Sequence, residues 1–506
     1  MIRLSDLVQT LGGQLVHAQA RRTQAPVILA DVRLDSREVE PGDLFAALPG
    51  TATDGARFAA DAVQRGARAV LSTQPIEGLS VPVWVHPDAR RLAGVAAAEV
   101  HGRPSRDLFT VAVTGTNGKT TTAHLVGHLL GHTRHRPAVL GTAGHRLADG
   151  STLAARNTTP DAPSIQRLLA RHRDSGGDSV ALEASSHALD QERLAGLVPS
   201  VAVFTNLTHD HLDYHGDFES YRAAKRKLFE SLDSESTAVL HADDPASEDM
   251  AAAARAQGAS VVTYSAGSRA DLFASQLRTD LQGTHLHVSG MGITRTRLWL
   301  PLTGRYNVEN ALAALAAVLV SGASPSNALD GLATASPAPG RLERIPTGGR
   351  PFTLLVDYAH TEAALANVCS TLRDGLATHA NHESTGSGGG GRLIVVFGCG
   401  GGRDRRKRAP MGAVVNELAD VAVVTTDNPR DEDPGAIISE VCAGMQPPRA
   451  DCIVEPDRER AIRLAVRDAR AGDVVLIAGK GHETTQTVGG EARSFDDRLI
   501  AQEALR

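Results

Sequence analysis

The stretch best equipped for chemistry is Phe109 to Thr122, FTVAVTGTNGKTTT, where a short apolar run feeds straight into a glycine-rich turn ending in Lys-Thr. Gly115 and Gly118 permit a tight turn and close backbone approach, and a helix opening just after the turn attracts anions at its N-terminus. In such a loop Gly115, Thr116, Asn117, Gly118 and Thr121 wrap the phosphates of a nucleotide. Lys119 reaches the β- and γ-phosphates, and Thr120 meets a magnesium ion. The spacing departs from GxxxxGK[ST] at one place, since Val113 stands where the first glycine belongs.

Two more polar stretches follow apolar runs, EASSHALDQERL after residues 180–182 and FTNLTHDHLDYHGDFESYRAAKRKLF from 204 onward. Glu183 and His211 therefore fall at strand ends, where a carboxylate and an imidazole can share a metal, although magnesium accepts oxygen more readily than nitrogen. A salt-bridging Glu and a surface His explain the same residues equally well. Lys225 in RAAKRKLF reads as one more solvated charge on an amphipathic helix, unless carbon dioxide carbamylates it and turns a cation into an anionic oxygen ligand. Near the C-terminal end, TLLVDYAH, RLIVVFGCGGGRD, VAVVTTDNPR and VVLIAGKGHE repeat one device, an apolar strand followed at once by a polar or glycine-rich loop.

The elements that must carry these residues alternate between strand-like and helical patterns, so the expected fold is α/β with three domains. Residues 1–104 form an N-terminal unit that ends near the polar HGRPSRD. Residues 105–340 form a central unit of the P-loop ATPase type, built on a largely parallel, doubly wound sheet. Residues 341–506 form a Rossmann-like unit whose four loops converge at the carboxyl edge of its sheet, the place where open parallel sheets bind ligands. The Gly/Ser-rich tract at 381–391 reads as a surface loop with no assigned chemistry.

Composition narrows the classes. The 506 residues suffice for several cores, and 42% hydrophobic with 22% charged residues is ordinary for a globular protein. A net charge of −6 without a lysine or arginine stripe argues against nucleic-acid binding. The four cysteines form no CxxC pair, which argues against a zinc site or a disulfide framework. With no leader pattern and no run of about 18 apolar residues, the expectation is a cytoplasmic chain without a membrane span, acting as a monomer.

TGTNGKTT, NTTP, EASSH, TNLTHDHLDYHG, YRAAK, YNVENALAA, GRLE, VDYAH, FGCGGGRD, TTDNPR and GKGHE occur in an order that closely resembles the Mur ligases, over almost the entire chain. The resemblance implies ATP-dependent addition of an amino acid to UDP-N-acetylmuramoyl-L-alanyl-D-glutamate in peptidoglycan synthesis. It implies ATP as co-substrate and two magnesium ions, one on Thr120 and Glu183, the other on His211 and Lys225 carbamylated by carbon dioxide. Leu34, Ser36 and the loop Thr51, Ala52, Thr53 resemble the pocket for the uridine nucleotide. Asn157, Thr158, Thr159, Ser185, Gln191 and Arg193 resemble the residues holding the muramoyl-dipeptide end.

Asn310, Arg341 and Asp357 resemble the contacts to adenine, phosphate and ribose. Asp427, Asn428, Pro429 and Arg430 resemble the signature of members that select meso-diaminopimelate, whose distal carboxylate suits a planar guanidinium. Arg403, Gly479 and Glu483 resemble the rest of that pocket, with Glu483 suited to an ammonium group. Ala184, Thr208-His209 and Gly402 depart from the usual residues beside these motifs. A lysine-adding member, a folylpolyglutamate synthetase and a non-catalytic ATP-dependent binding protein are the rival readings.

Overall fold

The computed structural model describes residues 2–16, 26–50, 53–382, 391–402 and 404–506. Thr51, Ala52, Arg403 and most of the 381–391 tract therefore lie outside the described residues. The chain divides into two compact units, Met1–Thr263 with Ala313–Ala328, and Tyr264–Leu312 with Leu329–Arg506.

In the first unit, the N-terminal sheet runs Gln14–Val16, Val83–Val85, Ala69–Ser72, Leu44–Ala47, Val32–Arg33, parallel except at its first pairing. A second sheet carries, in spatial order, Thr152–Leu153, Gly144–Arg146, Pro137–Gly141, Ser179–Glu183, Phe109–Thr114, Val201–Phe204 and Thr237–His241. Its central pairings are parallel and only the edge at Gly144–Arg146 is antiparallel. These central strands read as unbroken apolar runs because helices cover both faces of a parallel sheet; Val180, Ala181 and Leu182 are all at most 1% exposed. The helices beside them start where an acceptor satisfies a free N–H: Asp161 caps Ala162–Asp174, and Asp217 caps Phe218–Glu230.

The second unit holds a sheet ordered Glu343–Ile345, Thr353–Asp357, Val474–Ala478, Leu393–Phe397, Val421–Val424, Asp451–Val454, parallel throughout apart from the first pairing. Alternate residues of one strand fill two cores: Leu393, Val395 and Phe397 join one cluster, Ile394 and Val396 the other. The same unit contains the antiparallel strands Leu272–Thr279, Thr284–Gly290 and Ile293–Leu300. The α/β class, the parallel central sheet and the Rossmann-like C-terminal sheet are as the sequence implies, whereas the antiparallel strands were not expected. No helix among the described residues is long and apolar enough to cross a membrane.

Candidate active site

In the first unit the glycine-rich loop leaves the strand Phe109–Thr114 and enters the helix Lys119–His132 through Gly118, whose φ of +87° suits glycine. Gly115 is dictated by space as well, since a Cβ there would sit 1.9 Å from Thr205 Oγ1. The neighbouring strand end fixes the loop: Thr116 N donates to Asn206 O at 2.8 Å, Asn117 N to Asn206 Oδ1 at 2.9 Å, and Thr205 Oγ1 to Asn117 O at 2.6 Å. Lys119 folds over the loop, its Nζ donating to Gly115 O and Thr116 O at 2.9 and 2.7 Å. A phosphate in the loop offers this ammonium stronger, charged acceptors than those two carbonyls.

Glu183 pairs in register with Val113 at the end of the adjacent strand and is 2% exposed. Its carboxylate accepts from Thr120 Oγ1 at 2.9 Å and from Thr142 N at 2.8 Å. Lys225 is 1% exposed, and its Nζ donates to the same Gly115 carbonyl as Lys119, at 2.8 Å. Burial, with the Lys119 charge adding to it, holds this amine well below the ordinary lysine value. His211 adopts φ +54° at the start of Leu212–His215, and burial, with Asp210 opposing, keeps its imidazole toward the neutral form that a metal ligand needs. Its ring lies 4.9 Å from that of His187.

No group of three or more His, Cys, Asp and Glu among the described residues could hold a metal as it stands. Of the expected set Thr120, Glu183, His211 and Lys225, only Glu183 and His211 are of those residue types. The donor chemistry fits a hard cation on one side, the Thr120 hydroxyl already meeting the Glu183 carboxylate.

Of the residues expected to hold the dipeptide end, Thr158, Thr159, Ser185, Gln191 and Arg193 form one network that terminates on Glu183, whereas Asn157 lines the cleft of Leu34 and Ser36. Thr159 Oγ1 donates to Glu183 O at 2.7 Å and accepts from Ser185 N at 3.1 Å, and Arg193 Nη1 donates to Thr159 O at 2.9 Å. Arg193 also grips Gln191 Oε1, while Thr142 Oγ1 donates to Thr158 Oγ1. Leu34, Ser36 and Asn157 line a separate cleft of about 890 Å³ together with Arg37, Phe58 and Arg167. Thr53 accepts from Gly50 N through its carbonyl at 3.1 Å.

In the second unit Asp357 accepts from Leu342 N and Ala359 N, both at 2.7 Å, and Arg341 stacks 4.7 Å above the Tyr358 ring. Burial pushes the Asp357 carboxyl up. Asn310 is 6% exposed, and its Nδ2 donates to Asn307 Oδ1 at 3.4 Å. Gly479 N donates to Asp357 O, so this corner adjoins the GKGHE loop.

The DNPR loop meets GKGHE directly. Asn428 Nδ2 donates to Glu483 Oε2 at 2.9 Å, and a Cβ on Gly479 would approach Asp427 Oδ2 to 2.6 Å. Pro429 leads into Arg430, which takes φ +54°, donates its N–H to Thr487 O at 3.1 Å and accepts from Gly489 N at 2.7 Å. Its guanidinium donates to Gly401 O. A cation at Arg430 and an anion at Glu483 are thus presented from one pair of loops.

Residues 29–100 match the Mur ligase family catalytic domain, 113–318 the Mur ligase middle domain, and 340–481 the Mur ligase glutamate ligase domain. A relative from Geobacillus thermodenitrificans, described as UDP-N-acetylmuramoyl-L-alanyl-D-glutamate–2,6-diaminopimelate ligase, is 40% identical over 511 residues, covering 100% of this chain and 99% of its own. The chain belongs to the Mur ligase family. A second relative of that description, from Chromobacterium violaceum, is 43% identical over 485 residues, with 94% of each chain covered. A solved Mur ligase structure of the same description is 33% identical at a TM-score of 0.69, covering 100% of this chain and 98% of that one.

Several residues of this Mur ligase site lay outside the sequence expectation. His187 and Tyr221 set their rings against that of His211, and Tyr214 and His215 pack in turn against His187. Arg458 and Asp497, both 0% exposed, form an ion pair at 2.7 Å, and Arg458 also donates to Ala478 O at the root of the GKGHE loop. In sequence both look like surface charges.

Proposed function

We propose that this chain joins meso-2,6-diaminopimelate to the D-glutamyl carboxylate of UDP-N-acetylmuramoyl-L-alanyl-D-glutamate, at the expense of ATP. The observation that carries the reading is that Arg430 and Glu483 stand on two loops tied by the bond from Asn428 to Glu483. A guanidinium and a carboxylate together suit an amino acid that brings a distal carboxylate as well as an ammonium group, and lysine lacks the former.

In this reading the D-glutamyl carboxylate oxygen attacks the γ-phosphorus of ATP and ADP leaves. The amine of diaminopimelate then attacks the acyl phosphate carbon, the C–O bond to phosphate breaks, and the amide remains. The glycine-rich loop and Lys119 hold the phosphates, and Asn157 with the network of Thr158, Thr159, Ser185, Gln191 and Arg193 holds the dipeptide end beside Glu183. Asn310, Arg341 and Asp357 take the adenosine end. Leu34, Ser36 and the 51–53 loop hold the uridine part, and Arg403 joins Arg430 in the amino-acid pocket. Magnesium, when bound by Thr120 and Glu183 and by His211 with carbamylated Lys225, neutralises charge on the transferring phosphoryl group.

Burial shifts the Lys225 amine toward its neutral form, the form that adds carbon dioxide and loses a proton to give the carbamate. Three domains at 1–104, 105–340 and 341–506, a cytoplasmic location and a monomeric state belong to the same reading.

The test is oxygen transfer from substrate labelled with ¹⁸O in the D-glutamyl carboxylate. One label in the released phosphate for each amide formed with meso-diaminopimelate supports the acyl phosphate route. ATP turnover with unlabelled phosphate and no amide would instead indicate a nucleotide-driven binding protein.

A further inference from the structure

Of the described lysines only Lys225 and Lys480 are buried, and Lys480 is 0% exposed. An ammonium has three hydrogens to donate, and three acceptors meet this one: Thr485 O at 2.7 Å, Glu483 Oε2 at 2.8 Å and Asn428 Oδ1 at 3.3 Å. Lys480 therefore has neither a surface nor a donor with which to touch a ligand. Its influence passes through the two side chains it holds.

The first is Asn428. With Oδ1 accepting from Lys480 and from Thr487 N at 3.0 Å, the amide has one orientation, and Nδ2 turns to Glu483 Oε2. The second is Glu483, whose side chain is 32% exposed. Its Oε2 takes both the Lys480 and the Asn428 donors, leaving Oε1 as the oxygen for a ligand. Burial raises this carboxyl, but the charge and hydrogen bond of Lys480, with the Asn428 bond and the His482 charge, together outweigh it and keep the group below its ordinary value. A buried ion costs stability unless well paired, and an apolar side chain of similar volume commonly serves a core as well or better. A charge kept at this position is explained by what it does to its partners.

We propose that Lys480 is a positioning residue of the amino-acid pocket: it locks Asn428 and Glu483 into one arrangement, so that Glu483 offers a single ionised oxygen to the ammonium of the incoming amino acid. This rests on the reading of that pocket given above.

The test compares steady-state constants for wild type, Lys480→Met, Lys480→Gln, Glu483→Gln and the Lys480→Met/Glu483→Gln double variant, with thermal melts alongside. Outer partners of a ligand-binding group are commonly worth roughly 10- to 100-fold. The expected result is a rise of that size in KM for meso-diaminopimelate in Lys480→Met and a smaller rise in Lys480→Gln, which keeps a donor. The KM values for ATP and for the nucleotide substrate stay within about twofold, and the double variant is no worse than Glu483→Gln. Uniform losses across all three substrates, a fall in kcat alone, or additive effects in the double variant would overturn the proposal. A lowered melt in both Lys480 variants without a selective KM change would do the same. If the wild type makes no product with meso-diaminopimelate, the pocket reading itself falls; if it does and the selective KM rise is missing, only the role of Lys480 falls.

Discussion

Replacing Arg430 by Met removes the guanidinium while keeping an unbranched side chain in a loop whose backbone is pinned by Thr487 and Gly489. In the free protein Arg430 donates to Gly401 O, a bond it would give up to reach a substrate carboxylate in the proposed pocket. Two bonds between this guanidinium and a carboxylate are worth about 1.5–2.5 kcal/mol each, and the bond released to the uncharged Gly401 carbonyl about 1 kcal/mol. The net loss is about 2–4 kcal/mol, or roughly 30- to 1,000-fold in kcat/KM for meso-diaminopimelate. Competition between meso-diaminopimelate and L-lysine, read by product mass, gives the ratio directly. Lysine has no distal carboxylate, so its kcat/KM changes less than about threefold, and Arg430→Lys recovers only part of the loss because it lacks the planar fork. An equal fall for both amino acids would refute the pairing.

Lys225→Ala lowers ligation at least about 100-fold, because a missing ligand costs more than the roughly 10- to 100-fold typical of an outer partner; wild type freed of carbon dioxide loses activity and regains it with bicarbonate. Full activity in the alanine variant would remove the carbamate from the account. Arg458→Met strands the Asp497 carboxylate at 0% exposure, which lowers unfolding free energy by about 3–5 kcal/mol in urea titration, and a change under 1 kcal/mol would contradict the pairing. Burial, with the charges of Arg146 and His128 adding to it, depresses His124 from 6.5 to about 4, so the unfolded chain binds the extra proton between these values. Stability therefore falls as pH drops through this window, by up to ~3 kcal/mol. His124→Gln flattens that part of the profile, and an unchanged slope would show that another group titrates there.

Much of this architecture could be read from residue order because the sites sit where apolar runs stop. The strand before Gly115, the register that puts Glu183 beside Val113, and the DNPR and GKGHE loops at the ends of Val421–Val424 and Val474–Ala478 all follow from that rule. The antiparallel strands from Leu272 to Leu300 were not legible: in Ile293–Leu300 the middle residues Thr294 to Arg297 are exposed, so no continuous apolar run marks the strand. Buried charge was the other blind spot. Lys480 lies between glycines and Arg458 in the charged run RERAIRLAVRD, and only tertiary partners distinguish them from solvated side chains. The cleft at Leu34, Ser36 and Asn157 brings together residues far apart in sequence, which spacing alone does not reveal.

In the proposed function, one chain couples ATP cleavage to addition of meso-diaminopimelate. Incubating it with ATP, magnesium and UDP-N-acetylmuramoyl-L-alanyl-D-glutamate, with meso-diaminopimelate or L-lysine, and weighing the products by mass spectrometry tests this directly. One amide-linked tripeptide per phosphate released is expected with meso-diaminopimelate and little with lysine. Lysine incorporation at an equal or higher rate, or phosphate release without any tripeptide, would contradict it.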